Sequence, residues 1–159
     1  MTLAVRLVGT REEAEELVQD SFVKAYDNLH TFRGDSRFST WFYRILYNVC
    51  MTHVMRRKDR EVSIDEDISG SGLTPGRDER DILLDLEERE MQSILRDEIA
   101  RLPVRFRTPV TLFYVQEMSY EEIAEVTGQP VGTVKTNLFR GRHALRQRML
   151  SRVSEEPKR

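Results

Sequence analysis

Apolar residues recur at helical spacing along most of the chain, and there is almost no alternation of the kind a half-buried strand shows. Thr10 and Glu13 form a capping box that predicts the start of the first clear helix. A loop within residues 30–39 follows, and the next helix is predicted to run from Phe38–Ser39 into residues 56–60. The apolar stripe of the first of these helices comprises Ala14, Leu17, Val18, Phe22, Ala25 and Leu29.

The middle of the chain differs in composition. Residues 63–78 are rich in Gly, Ser and Asp and lack periodicity, which predicts a flexible, extended acidic linker. Helical spacing resumes near Asp81 and ends before Pro103, because proline cannot continue a helix. Thr108 before Pro109 predicts the N-cap and first residue of a further helix.

Two helices joined by a tight turn are predicted in the last third. Ser119 and Glu122 form a capping box for a short helix, and Gly128 supplies the left-handed residue that ends it. A longer helix then begins at Pro130–Val131, so the segment follows the helix-turn-helix plan. The packed face of this longer helix is predicted to consist of Val134, Leu138, Gly141, Leu145 and Met149.

Charge is segregated along the chain, although the formal net charge is only −2. Residues 37–60 hold six Lys/Arg and one Asp, residues 61–100 hold thirteen acids and four bases, and residues 131–152 hold six bases and no acid. Such asymmetry is typical of nucleic-acid binding. Solvated helix faces produce similar charge runs, so charge alone leaves both interpretations open.

The outward faces of two predicted helices distinguish these interpretations. The longer helix of the last third turns Lys135, Thr136, Phe139 and Arg140 outward, at the positions from which such helices read the major groove. In the middle helix, Thr40, Arg44, Asn48 and Thr52 form a polar stripe that continues to Arg56, among many aromatic residues. Hydrogen-bonding groups beside aromatic rings suit single-stranded DNA. Packing in the core is the favoured alternative for Trp41 and Phe42, whereas Phe32, in a polar loop, is harder to explain by packing.

Other classes of protein find little support. No apolar run reaches the ~20 residues that span a bilayer, and no signal-peptide pattern precedes residue 10. Cys50 is the only cysteine, which excludes an internal disulfide and a cysteine zinc site and favours a small buried hydrophobe. The three histidines have no ligand or triad spacing, and no phosphate-binding loop is present. We therefore expect a cytoplasmic, non-enzymatic protein without a cofactor or a metal.

Four segments occur in a characteristic order: "EELVQDSFVKAY", "FRGDSRFSTWFYRILYNV", "RRKDR" and "LPVRFRTPVTLFYVQEMSYEEIAEVTGQPVGTVKTNLFRGRHAL". Together they resemble the bacterial sigma factors of the extracytoplasmic-function (ECF) group, over nearly all of residues 11–150. The resemblance implies an all-α fold with two small helical domains joined by a flexible acidic linker. The sigma-2 domain would occupy residues 1–60, beginning about one helix late, the linker 61–80, the sigma-4 domain 81–152 and a tail 153–159.

The resemblance also implies which residues act. The stretch matching Glu16–Tyr26 would dock on the clamp helices of the polymerase β′ subunit, through Glu16, Gln19, Asp20 and Lys24. The sigma-2 domain would melt and read the −10 promoter element, with a flipped base held by the loop at Phe32–Ser39. Its DNA-binding residues would be Phe32, Phe38, Ser39, Trp41, Arg44, Asn48, Arg56 and Arg57. The sigma-4 domain would read the −35 element through Thr133, Lys135, Thr136, Phe139, Arg140 and Arg142.

Partners follow from the same resemblance. They would be core RNA polymerase through its β′ clamp and β flap, promoter DNA, and an anti-sigma factor that could hold the protein at the membrane indirectly. Relatives often carry Ser-Arg where this chain has Thr136 and Asn137, which leaves the −35 sequence open. The alternative is a stand-alone helix-turn-helix regulator that binds a palindromic operator as a dimer, but it leaves the polar stripe from Arg44 to Asn48 without a purpose.

Overall fold

The structure is a computed structural model in which residues 2–61 and 86–155 are described. These residues form helices and contain no strand. In chain order the α-helices are α1 (Thr2–Val8), α2 (Arg11–Asp27), α3 (Phe38–Glu61), α4 (Leu86–Ala100), α5 (Val104–Tyr114), α6 (Tyr120–Thr127) and α7 (Val131–Glu155), with one turn of 3₁₀-helix at Leu29–Thr31 between α2 and α3. The all-α prediction is confirmed.

The N-terminal half packs α1 and α2 against α3. The Thr10 hydroxyl caps α2 by accepting the Glu13 N–H at 3.3 Å, as predicted. The inward face of α2 consists of Ala14, Leu17, Ser21 and Ala25. Two members of the predicted stripe are wrong: Phe22 is 60% exposed, and Leu29 is 49% exposed and lies beyond the end of the helix. The buried position between Leu17 and Ala25 is filled instead by Ser21, whose hydroxyl donates to the Leu17 carbonyl.

The helix α1 was missed by the sequence analysis. It carries no capping signal and is only seven residues long, so its local propensity to form a helix is weak. Its stability comes from tertiary packing, because Leu3, Ala4, Leu7 and Val8 are all buried in the main apolar core.

The C-terminal half packs α4, α5 and α6 around α7. Ser119 and Glu122 form the predicted capping box at the start of α6. Gly128 adopts a left-handed conformation (φ 68°) at the end of that helix, and α7 begins at Val131. The helix-turn-helix is therefore built as predicted, with the inward residues of α7 at Val134, Leu138 and Gly141.

The predicted start of α5 at Thr108 and Pro109 is wrong. The helix begins at Val104, and the Pro103 carbonyl accepts the Phe106 and Arg107 N–H groups in its first turn. Pro109 lies inside the helix and is buried, so burial of its ring offsets the hydrogen bond that its missing N–H cannot make. Thr108 does not cap anything, since its buried hydroxyl makes no hydrogen bond to any described residue.

The two halves share one apolar core. Leu3, Leu46 and Cys50 from the first half belong to the same buried cluster as Ile123 and Val126 from α6. A second, smaller cluster within the C-terminal half contains Ile99, Leu102, Val110 and Leu138. The predicted linker falls on residues 61–80, of which only Glu61 is described, and the predicted helix start at Asp81 also falls outside the described residues, which resume at Leu86.

Candidate nucleic-acid interface

The polar stripe of α3 is largely on the surface. Arg44, Asn48, Thr52 and Arg56 are exposed, whereas Thr40 is fully buried against α6. The difference follows from helix geometry, because four residues advance the chain by slightly more than one 3.6-residue turn. A stripe at four-residue intervals therefore rotates around the axis, and its first member points toward a neighbouring helix instead of toward solvent.

A pocket of about 230 Å³ opens on this face of α3, at the end of α2. Arg44 and Asn48 line it together with the ring of Trp41. Asn28 and Thr31 also line it, and the sequence analysis missed them. The chain places them there through one tight turn, in which the Thr31 hydroxyl donates to the Asn28 carbonyl at 2.7 Å. Asn and Thr are both common in turns, so the sequence alone indicates a turn at these positions and not the lining of a pocket.

Three aromatic rings form a cluster beside the pocket. The Phe32, Phe38 and Trp41 ring centroids lie 5.4–5.6 Å apart, and Phe32 meets Phe38 edge to face. Phe32 is half-buried by these contacts, so packing accounts for it, contrary to our expectation. Phe38 is 51% exposed and, with the neighbouring exposed Ser39, lies at the entrance of α3.

The far end of the α3 stripe is basic. Arg56 and Arg57 are both exposed, and the Arg57 guanidinium lies 3.7 Å from the Glu13 carboxylate of α2. His53 lies at the same distance from that carboxylate, so this partly exposed histidine lies at an interhelical contact. Cys50 is fully buried one turn earlier, and burial raises the pKa of its thiol to about 11.

The outer face of α7 carries the residues predicted to read a major groove. All six predicted side chains are exposed, namely Thr133, Lys135, Thr136, Phe139, Arg140 and Arg142. The Lys135 ammonium lies 5.5 Å from the ring centroid of Tyr120 of α6, which orients it along the helix-turn-helix. The Thr136 hydroxyl donates to the Gly132 carbonyl at 2.9 Å, and the Phe139 ring is 71% exposed.

The inner face of α7 approaches α5 very closely. At Gly141, an added Cβ would lie 2.8 Å from the Val110 methyl group and 3.3 Å from both the Phe106 Cβ and the Phe106 carbonyl oxygen. A glycine is therefore required at this crossing. The close approach fixes the position of α7, and with it the outward residues at the start of the helix, relative to the rest of the C-terminal half.

The basic block of residues 131–152 is less uniform than the sequence indicates. Glu98 of α4 is buried, and its carboxylate lies 3.0 Å from the Arg152 guanidinium and 3.6 Å from the Arg148 guanidinium. Arg101 of α4 is also paired with it, at 2.9 Å. Two of the six bases in the block thus hold α7 against α4.

The outer face of α2 forms a third surface. Glu16, Gln19, Asp20 and Lys24, predicted to bind polymerase, are all exposed on it. Large apolar side chains accompany them, since Val23 is 61% and Tyr26 is 80% exposed. Exposed apolar groups between charged ones are typical of a protein-binding surface.

Neither a metal-binding cluster nor a membrane-spanning helix is present among residues 2–61 and 86–155. No group of three or more His, Cys, Asp or Glu side chains there could hold a metal ion. In the same part of the chain, no helix has the length and apolar character that crossing a membrane requires.

Comparison with known proteins identifies the family. Residues 1–60 match the family model described as sigma-70 region 2, and residues 92–145 match that of sigma-70, region 4. The chain is 36% identical over 155 residues to the ECF RNA polymerase sigma factor SigW of Bacillus subtilis, covering 92% of this chain and 81% of that protein. It is 39% identical over 151 residues to the RNA polymerase sigma-H factor of Pseudomonas aeruginosa, covering 90% and 76%.

A solved structure supports the same family assignment. The sigma factor RpoE of Bartonella quintana, crystallised in complex with the anti-sigma factor NepR, aligns with a TM-score of 0.74 at 25% identity, covering 91% of this chain and 86% of that one. The sequence relatives and this structure point to the same group of proteins. The chain therefore belongs to the ECF sigma factors of bacterial RNA polymerase, within the sigma-70 family.

Proposed function

We propose that this sigma factor reads a −35 element with the outer face of α7 and an unpaired −10 element with the exposed face of α3. The observation that carries the proposal is the exposed, acid-free start of α7, where Lys135, Phe139 and Arg140 project away from the packed side. A helix-turn-helix enters the major groove with this part of its second helix. Thr133, Thr136 and Arg142 flank the same surface and extend the contact to neighbouring bases and phosphates.

The −10 element is read at the α3 pocket. Arg44 and Asn48 offer donors and an acceptor to a base edge, and Trp41 forms one wall on which a base can stack. Phe38 and Ser39 lie at the entrance of α3 beside Phe32, where the strand enters. Arg56 and Arg57 hold phosphates at the far end of the stripe.

Polymerase binds through α2. Glu16, Gln19, Asp20 and Lys24 lie on the same face as the exposed apolar side chains of Val23 and Tyr26. Residues 1–60 then act as the sigma-2 domain, 61–80 as a linker, 81–152 as the sigma-4 domain and 153–159 as a tail. The protein works in the cytoplasm without catalysing a reaction. An anti-sigma factor is a further partner, as in the complex of the Bartonella protein.

Two substitutions test the assignment of the two DNA elements, assayed with core polymerase bound. Asn48→Ala removes a contact to a base edge, so we expect weaker promoter opening and relaxed −10 choice, at a cost of about 1–3 kcal/mol. Permanganate footprinting measures the opening, and −35 duplex binding serves as the internal control. Normal opening with an unchanged −10 preference would contradict this role.

Arg140→Ala is the complementary change. It should weaken binding to the −35 element and leave opening at a pre-melted −10 element intact. Selection from randomised −35 sequences measures the preference directly. Recovery of the wild-type preference would mean that Arg140 contacts phosphate only. Arg148→Ala is the matched control, because Arg148 lies on the same helix but is directed at Glu98.

A further inference from the structure

Three arginines from three different helices lie close together where α1 meets α4 and α5. Arg6 belongs to α1, Arg96 to α4 and Arg107 to α5. The Arg6 guanidinium donates to the Thr111 hydroxyl of α5 at 3.3 Å. Burial lowers the pKa of Arg6, and repulsion from Arg96 and Arg107 lowers it further. The three positive charges therefore form one arginine cluster.

The arginine cluster has no acidic counterpart. Among the residues that the structure describes, none of its three guanidinium groups lies within ion-pair distance of a carboxylate. Arg96 donates to the Gln92 carbonyl of its own helix, and Arg107 donates to the Ala100 carbonyl at the end of α4. These bonds use only part of each guanidinium and neutralise no charge. Charges removed from water are normally paired, so this cluster lacks the anion that such a group of cations favours.

Unused hydrogen-bonding groups lie beside the cluster. The Arg107 Nε and the Thr108 hydroxyl are buried and make no hydrogen bond to any described residue. Thr108 and Thr111 are three residues apart on α5, so they lie on the same face of the helix, the one that meets Arg6. Solvent still reaches the cluster, because Arg96 is exposed and the other two arginines are partly exposed. Positive charge and unused donors, open to solvent on one side, are what an anion-binding site requires.

We propose that Arg6, Arg96 and Arg107 form a binding site for a phosphate group, either inorganic phosphate or the terminal phosphate of a nucleotide. The planar fork of a guanidinium matches two phosphate oxygens, and three such cations favour a doubly charged anion over a single carboxylate. A bound phosphate replaces the repulsion within the cluster by attraction. None of the three arginines belongs to the proposed promoter or polymerase contacts, so the inference goes beyond the proposed function.

Titration calorimetry with the full chain tests the inference. Inorganic phosphate and adenosine diphosphate are titrated separately at constant ionic strength and about pH 8, where the phosphate group is mostly doubly charged. We expect saturable binding at one site per chain. Tighter binding of adenosine diphosphate would support a nucleotide as the source of the phosphate, whereas equal affinity would support free phosphate.

The informative comparison is Arg96→Gln against Arg105→Gln. Each removes one exposed arginine, but Arg105 lies over the Phe106 ring on another face of α5. Arg96→Gln should weaken phosphate binding about tenfold relative to Arg105→Gln, because it removes charge-assisted hydrogen bonds to the anion. Arg6→Gln should have a similar effect and provides a second variant from a different helix.

Melting temperatures give an independent measurement whose direction depends on phosphate. In chloride alone, Arg96→Gln should be at least as stable as the wild type, because it relieves repulsion on Arg6. Phosphate at about ten times its dissociation constant should raise the melting temperature of the wild type by about 3–6 °C. Phosphate also stabilises proteins in general by its exclusion from their surfaces, and Arg105→Gln measures that contribution together with the site. Arg96→Gln should show only the general part.

Equal phosphate affinity in Arg96→Gln, Arg6→Gln and Arg105→Gln would overturn the inference. The absence of saturable binding of both phosphate and adenosine diphosphate by the wild type would overturn it as well.

Discussion

The crossing of α7 over α5 yields the most quantitative prediction. Gly141→Ala places a methyl group 2.8 Å from a methyl of Val110, which is 1% exposed and branched at Cβ, so it cannot swing aside. The Phe106 carbonyl oxygen, at 3.3 Å, belongs to the backbone of α5 and is equally fixed. The two helices must therefore move apart.

The magnitude is the balance of two effects. Overpacking a close contact costs about 1–3 kcal/mol. Replacing glycine by alanine inside a helix returns up to about 1 kcal/mol through lower backbone entropy in the unfolded chain. We therefore expect a net loss of about 1–2 kcal/mol, and a fall in melting temperature of about 2–8 °C for a chain of this size.

Gly132→Ala is the matched control for this change. It lies near the start of the same helix, and an added Cβ there meets nothing within 4 Å. Urea unfolding of the two variants and the wild type gives the free energies directly. We expect Gly132→Ala to be neutral or slightly stabilising. A Gly141→Ala protein as stable as the wild type would refute the argument that this contact fixes α7.

Two further predictions concern carboxylates. Glu98→Gln should lower the free energy of unfolding by about 1–2 kcal/mol. This is less than the loss of a fully buried ion pair would cost, because the three arginine partners of Glu98 are 39–52% exposed. Glu121→Gln provides the surface control, and urea unfolding measures both variants. The Ser119 backbone N–H lowers the pKa of Glu122 by donating to its carboxylate, so the contribution of Glu122 to stability is full above the ordinary value of 4.5 and is lost as the pH falls through the folded-state value. The difference in unfolding free energy between the wild type and Glu122→Gln should therefore shrink as acid is added, and a difference that stays constant with pH would contradict this assignment.

Local sequence signals predict the structural features whose causes lie within a few residues. The capping box at Ser119 and the left-handed Gly128 act within a few residues, so the helix-turn-helix was predicted correctly. The helix α1 was missed because its stability comes from burial in the core. Pro109 was misplaced for a related reason, since the packing of its ring outweighs the usual rule that proline begins a helix.

Some features of the candidate site also have a local sequence signal, and others do not. Exposure of the outer residues of α7 followed from helical periodicity, whereas their roles in reading bases remain predictions. The pairing of Arg148 and Arg152 with Glu98 joins residues about fifty positions apart, and no local pattern indicates it. The pocket residues Asn28 and Thr31 were missed because turn formation already explains their presence. The contact between Arg6 and Thr111 spans 105 positions and required the structure.

The central claim is that this chain gives promoter specificity to core RNA polymerase. A gel-shift experiment with promoter DNA, comparing the free protein, core polymerase alone and the two together, tests it most directly. We expect poor binding by the free protein, because its net charge is −2 and its −10 surface suits unpaired bases, and specific, salt-sensitive binding only by the combination. Charge reversal at the exposed Asp20 should abolish the combined complex without unfolding the chain. Tight, sequence-specific binding by the free protein as a dimer would contradict the account and favour a stand-alone regulator.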